Sequence, residues 1–215
     1  MEKKTEKGRL AILGAGLFAE EVAEIVSDAG TYEIYGFVEG TDPERCRQHV
    51  DGLPVFWIEA VAGFDRDIRA VCAVGSPERK GFIEQAEAQG LQFVSVRHPS
   101  AIISRTASLG EGTVAGAGVI VAAKSVIGRH VILNRGSLIG HHTTLGNYVT
   151  VSPGANIAGR VHIADGVYIG MGANVLDGVS IGAGSVVGAG AVVVKDVPGK
   201  VQVVGIPARI VKQLD

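Results

Sequence analysis

The chain has 215 residues, with 20 Lys and Arg against 22 Asp and Glu for a net charge of −2. It has no basic stripe to mark a nucleic-acid surface and no run of about 20 apolar residues to cross a membrane. Two cysteines, Cys46 and Cys72, make no disulfide framework, and the charged stretch from Met1 to Arg9 carries no apolar leader. The expectation is a soluble cytoplasmic protein of one large or two small domains.

After a tail over 1–8, residues 9–98 read as alternating strands and helices. Arg9–Leu13 is an apolar strand, Gly14-Ala15-Gly16 a turn, and Ala19–Ala29 a helix with Val22, Ile25 and Val26 on one face. Strands follow at Ile34–Val38, Pro54–Phe56 and Ile68–Val74, then a helix at Pro77–Gln89 and a strand at Phe93–Val96. That order argues for a small Rossmann-like parallel sheet. Gly14, Ala15 and Gly16 lie between a strand and a helix start, where free N–H groups suit a phosphate. Ala19 stands where the dinucleotide fingerprint has its third Gly. Glu39 ends the second strand, where a carboxylate can accept from a ribose hydroxyl. A tight turn and a solvated Glu explain the same residues equally well. His98-Pro99 marks the crossing into the second half.

From 99 to 194 one residue in six is a branched aliphatic. Counting from Ile103 to Val193, fifteen of sixteen positions are Leu, Ile or Val, and the other is Ala115. Two places before each anchor stands a small or β-branched residue, as at Thr113, Ser125, Val131, Ser137, Thr143 and Ala155. The place after is often Gly, as at Gly110, Gly128 and Gly140, read as a bend with unusual dihedrals. An unbroken six-residue register predicts a parallel β-helix of about 18 residues per triangular coil, each coil burying the next. An antiparallel sandwich does not generate it.

Histidine suits the role of a general base, with an unperturbed pKa near about 6.5. His141 and His142 fall two and three places after anchor Ile139, and both point outward. His130 and His162 read as exposed histidines on a prism face.

The combination of a small Rossmann-like domain and a hexapeptide β-helix resembles the sugar O- and N-acetyltransferases, a family that includes bacillosamine, perosamine and sialic acid acetyltransferases. The likeness runs from about Arg9 to Lys212. It rests on Gly14-Ala15-Gly16, Phe37-Val38-Glu39-Gly40, Ala73-Val74-Gly75-Ser76-Pro77 with Arg79, and the exit Gly205-Ile206-Pro207-Ala208-Arg209.

The resemblance implies a left-handed β-helix, acetyl-CoA as co-substrate, no metal, and a homotrimer with sites between subunits. It also implies a nucleotide-linked amino sugar held by Gly14, Ala15, Gly16, Glu39, Gly40, Gly75 and Ser76. His141, seven residues after Asn134, matches the family's base. His142 stands where relatives carry Asp or Glu, and Thr150 where many carry a second His near the thioester; a Thr hydroxyl can still donate there. Asn134, Thr150, Gly159, Met171, Ala189, Pro207 and Arg209 are the implied acetyl-CoA residues. Arg209 with Lys195, Lys200 and Lys212 could meet the CoA phosphates, although each lysine taken singly reads as solvent-exposed, and 195–215 is expected to form a CoA-proximal extension. Leu17-Phe18 departs from the family's usual Gly-Gly-His or Gly-His.

The leading expectation is N-acetylation of a 4-amino-4,6-dideoxy sugar on a nucleotide, for surface glycans. O-acetylation of sialic acid or another sugar hydroxyl uses the same fold and base. A zinc enzyme with three histidines across a subunit boundary and a non-catalytic binding subunit remain alternatives.

Overall fold

The computed structural model describes residues 7–215. The first unit is a six-stranded sheet of β1 (Gly8–Leu13), β2 (Tyr32–Glu39), β3 (His49–Val50), β4 (Leu53–Trp57), β5 (Arg69–Cys72) and β6 (Gln92–Phe93), in the order β3-β4-β2-β1-β5-β6. All pairings are parallel except the β3–β4 hairpin. Leu10 through Leu13 are fully buried, as a strand covered on both faces requires.

Side chains alternate between the two layers. Leu10 and Ile12 pack with Ala19, Val22, Ile25 and Val26 of α1 (Leu17–Ala29). Ala11 and Leu13 pack with Ile83 and Ala86 of α2 (Arg79–Ala88). Gly30, left-handed at φ 68°, ends α1 by donating to Val26 O. The hairpin strand β3 and the 3-10 turns Pro43–Arg47 and Ile58–Gly63 are too short to show a periodicity.

The second unit is the expected three-sided parallel β-helix. Two-residue strands stack in register 18 residues apart, as Ile120 on Leu138 and Val121 on Ile139. The first face runs from Val96–Arg97 through Ile132–Leu133 and Thr150–Val151 to Val201–Val204, the second from Ile102–Ile103 to Val192–Val193, and the third from Ser108–Leu109 to Ser180–Ile181. The anchors from Ala115 to Val193 are all at most 2% exposed and form one column.

Two expectations are corrected. The strand expected at Phe93–Val96 is divided. Gln92–Phe93 pairs with β5, whereas Val96–Arg97 opens the prism beside Val114–Ala115. Ser95 turns away between them, its hydroxyl bonded to Gly110 O.

The glycines after the anchors are not there for unusual dihedrals. Gly110, Gly128 and Gly140 have no positive φ, but a Cβ on any of them would come within 3.0 Å of the next coil's backbone. The left-handed residue falls two places later, where Lys124, His130, His142, Tyr148 and Arg160 carry side chains at φ 55–59°.

Val96, Val114 and Ile132 of the first face belong to the α1 cluster, so the small unit is packed onto the prism through apolar contact. At the junction His98 Nε2 lies 3.1 Å from Asp28 Oδ2 of α1 and Nδ1 lies 2.7 Å from Ser100 Oγ. Ser100 Oγ accepts from Gly118 N–H, where later coils use a carbonyl such as Ala117 O. At the far end Arg209–Gln213 returns antiparallel to Val201–Val204. Among the described residues no helix is long and apolar enough to cross a membrane.

Candidate active site

The carboxyl ends of β1, β2 and β5 open into a cavity of about 640 Å³. The chain winds outward from β1 in both directions, to β2 and to β5, so this crevice is the switch point where open α/β sheets bind ligands. Gly14 (φ 109°) tucks against β5: a Cβ there would lie 3.2 Å from Ala73 O. Gly16 caps α1 with no side-chain hydrogen bond, leaving N–H groups free for an anion. Gly14, Ala15, Gly16, Glu39, Gly40 and Ser76 all line this cavity, with Arg45, Arg79 and Phe82.

Glu39 is 4% exposed. Its Oε1 accepts from Gly40 N, Thr41 N and Thr41 Oγ1 at 2.7–2.9 Å, and Oε2 lies 3.5 Å from Arg45 Nη1. Burial alone would raise its pKa; the Thr41 and Gly40 bonds and the Arg45 charge outweigh burial and hold it below the usual carboxylate range. Only Oε2 is left to meet a ligand. Arg45 was not read as a site residue. Its guanidinium lies 3.5 Å from where a Gly16 Cβ would stand, and the available signal was Asp42-Pro43, which caps and opens the Pro43–Arg47 turn.

A second cavity of about 880 Å³ shares Phe18, Ser76 and Glu78 with the first. Gly75, Asn134, Thr150, Ser152, Tyr168 and Val186 line it, with Leu214 and Asp215. The two run together from the glycine turn onto the first face of the prism.

Arg79, 2% exposed, joins the two units. It donates to Ser76 O, Thr150 Oγ1, His130 O and Val149 O at 2.7–3.0 Å. Burial pushes the guanidinium down to about 10, despite the opposing influence of Cys72 and Tyr148, so it is still a cation at neutral pH.

Thr150, expected to donate to a thioester, donates instead to Gly75 O at 2.9 Å. A hydroxyl has one hydrogen, so in this arrangement none remains for a ligand.

His141 and His142 sit on the edge between the second and third faces, both exposed. Their Nδ1 atoms are 3.1 Å apart, with the rings edge to face at 87°. Gly159, one coil on, lies beneath the His141 ring: a Cβ would come within 2.7 Å of Cε1. Gly159→Ala is therefore expected to push the imidazole aside and, with His141 as the base that the resemblance implies, to lower kcat about a hundredfold, with a melting temperature close to wild type because the nearest atoms belong to an exposed side chain. Steady-state kinetics beside a thermal melt checks this.

Asn134, Met171 and Ala189 lie on the other edge of the second face, between it and the first. Within one chain the second face separates them from His141. Pro207 and Arg209 are exposed at the end of the prism, where Arg209 and Lys195 border a small cavity. His162 is exposed, as read.

His130 is not exposed. It is 1% accessible, stacked on Tyr148 and edge-on to Phe93, with Nδ1 unpartnered and Nε2 3.5 Å from Glu87 Oε1. Packing of the small unit over this prism edge buries it. Burial lowers its pKa, against the raising influence of Glu87. Among the described residues no group of three His, Cys, Asp or Glu is gathered as a metal site.

The PglD N-terminal domain model matches residues 9–85, and the bacterial transferase hexapeptide model (six repeats) matches 160–195. A histidine-to-asparagine mutant of perosamine N-acetyltransferase from Caulobacter crescentus, in complex with CoA and GDP-perosamine, is 34% identical with a TM-score of 0.89, covering 96% of this chain and 98% of that one.

The chain belongs to the hexapeptide-repeat sugar acetyltransferases.

Two more solved members of this family are similar. The acetyltransferase domain of PglB from Neisseria gonorrhoeae, in complex with acetyl coenzyme A, is 33% identical (TM-score 0.87; 96% of this chain, 100% of that). WeeI from Acinetobacter baumannii is 29% identical (TM-score 0.85; 94% and 99%). A search of curated proteins gave no match. The prism of this acetyltransferase is thus the left-handed β-helix, and the small α/β unit its usual companion.

Proposed function

We propose that this acetyltransferase moves the acetyl group of acetyl-CoA onto the amine of a nucleotide-linked amino sugar of the 4-amino-4,6-dideoxy type, for surface glycan synthesis. The observation that carries the reading is the similarity over 96% of the chain to an enzyme complexed with CoA and GDP-perosamine. The glycine-turn crevice supports it, because that crevice opens directly onto the first face of the prism.

In this reading the nucleotide lies over Gly14-Ala15-Gly16, with Glu39 Oε2 and Arg45 at its rim, and the sugar amine reaches along the joined cavities. The amine nitrogen attacks the thioester carbonyl while its proton passes to His141. The C–S bond breaks and the leaving thiolate takes up the proton. Variants of the Caulobacter enzyme with a histidine replaced by Asn or Ala hold both CoA and GDP-perosamine. That favours a chemical over a binding role for such a histidine.

Asn134, Met171 and Ala189 share one edge and His141, His142 and Gly159 another, so a complete site needs edges from two copies. The second face has an in-register apolar ladder of Ile102, Ile120 and Leu138, 63, 40 and 38% exposed. A charge-free column of this kind fits a homotrimer closed around it. Ile120→Glu is expected to give monomers by analytical ultracentrifugation, with acetyl transfer lost. A monomeric wild type, or an active monomer, would refute the shared site.

The acceptor is tested by thiol release from acetyl-CoA over UDP-, GDP- and dTDP-linked amino sugars and free sialic acid. Turnover with an amino sugar is expected; turnover with sialic acid alone would assign O-acetylation.

A further inference from the structure

We infer that His142 is a positioning residue for His141: its Nδ1 lone pair accepts the Nδ1–H of His141, leaving the His141 Nε2 lone pair to take the acceptor's proton. The inference rests on the acetyl-transfer reading above and deepens it.

Two Nδ1 atoms 3.1 Å apart can share one hydrogen, so one ring donates and the other accepts. Two observations make His141 the donor and the reactive ring. Gly159 gives its ring a flat backbone floor that a Cβ would fill. His141 lies on the edge position next to the second face, beside the partner copy in the proposed trimer. His142 occupies the left-handed turn position (φ 57°), with Lys124 and Arg160 at the same position one coil before and after. The remaining charged or titratable groups along this edge and on the faces it borders are Arg105, Asp177, Lys195, Asp196 and His162, and Arg160 is paired with Asp177.

The consequence is a pattern of substitution. His142→Ala removes the acceptor of the His141 Nδ1–H and should lower kcat, whereas His142→Glu puts a carboxylate oxygen in its place and should hold kcat within about tenfold of wild type.

The test pairs the kcat values of these variants with histidine 15N NMR on the intact protein, which needs no substrate. The expected spectrum has His141 protonated at Nδ1 in wild type and in His142→Glu, and shifted to the Nε2–H form that free imidazoles favour in water in His142→Ala. Unchanged His141 protonation in His142→Ala, or an Nε2–H form in wild type, overturns the inference. A kcat for His142→Ala equal to that of wild type overturns it as well. An Nδ1–H form in a protein that acetylates no amino sugar would instead sink the acetyl-transfer reading and leave the pair intact.

Discussion

His141→Ala is expected to lower kcat for acetyl transfer by about 10²–10⁴, the range a positioned general base supplies, equal to about 3–5 kcal/mol of barrier. KM for acetyl-CoA should change by less than about threefold, because the imidazole is exposed and, of the groups proposed to hold CoA, Asn134, Met171 and Ala189 stand on the opposite edge of the face while Gly159 beneath the ring offers only backbone. The fold should be untouched: the ring is exposed, lying over Gly159 and edge to face with His142. Steady-state kinetics on both substrates decides the matter. A loss below tenfold would put the base elsewhere, and a collapse of CoA affinity with kcat intact would make His141 a binding residue.

The second large effect is on stability. Arg79→Met is expected to cost about 2–4 kcal/mol, and the size follows from counting what loses its partner. Ser76 O still accepts from Arg79 N and Val149 O from Ile132 N, and Thr150 still donates to Gly75 O. His130 O is left with no partner, a penalty of about 1–3 kcal/mol for a buried carbonyl. The shorter side chain adds a cavity term of similar size. Against this, a buried cation with no carboxylate beside it is removed, which offsets part of the loss. For a chain of this length the melting temperature should fall by about 4–16 °C. Arg79→Lys should not rescue it, since one ammonium cannot span carbonyls on both units. A melting temperature within about 2 °C of wild type would show that the apolar contacts of Val96, Val114 and Ile132 alone hold the units together.

Much of this architecture is legible in the residues. The six-residue period survives because each anchor must enter one column, and no insertion can be absorbed without breaking the 18-residue stacking. That same spacing placed Gly159 under His141, a contact available by simple addition. The β1 glycine turn and the ends of β2 and β5 were legible because parallel strands leave their carboxyl ends open. What was hidden depends on how the two units meet. His130 follows the outward pattern of the repeat and is buried only because the small unit covers that edge. Thr150 reads as a free hydroxyl until Gly75 and Arg79 are brought to it. Arg45 sits in a turn too short for any period. The role of Gly128 and Gly140 was misread because local sequence reports dihedral freedom, whereas their constraint comes from a neighbour 18 residues away.

The most direct test follows a labelled acetyl group. Wild-type protein would be incubated with 13C-acetyl-CoA and a nucleotide-linked 4-amino sugar, and the carbon traced by NMR. The account expects the label in an amide on the sugar, formed at a rate that vanishes with His141→Ala. Label that stays on CoA with every amino sugar, appears as free acetate, or enters an ester would contradict it.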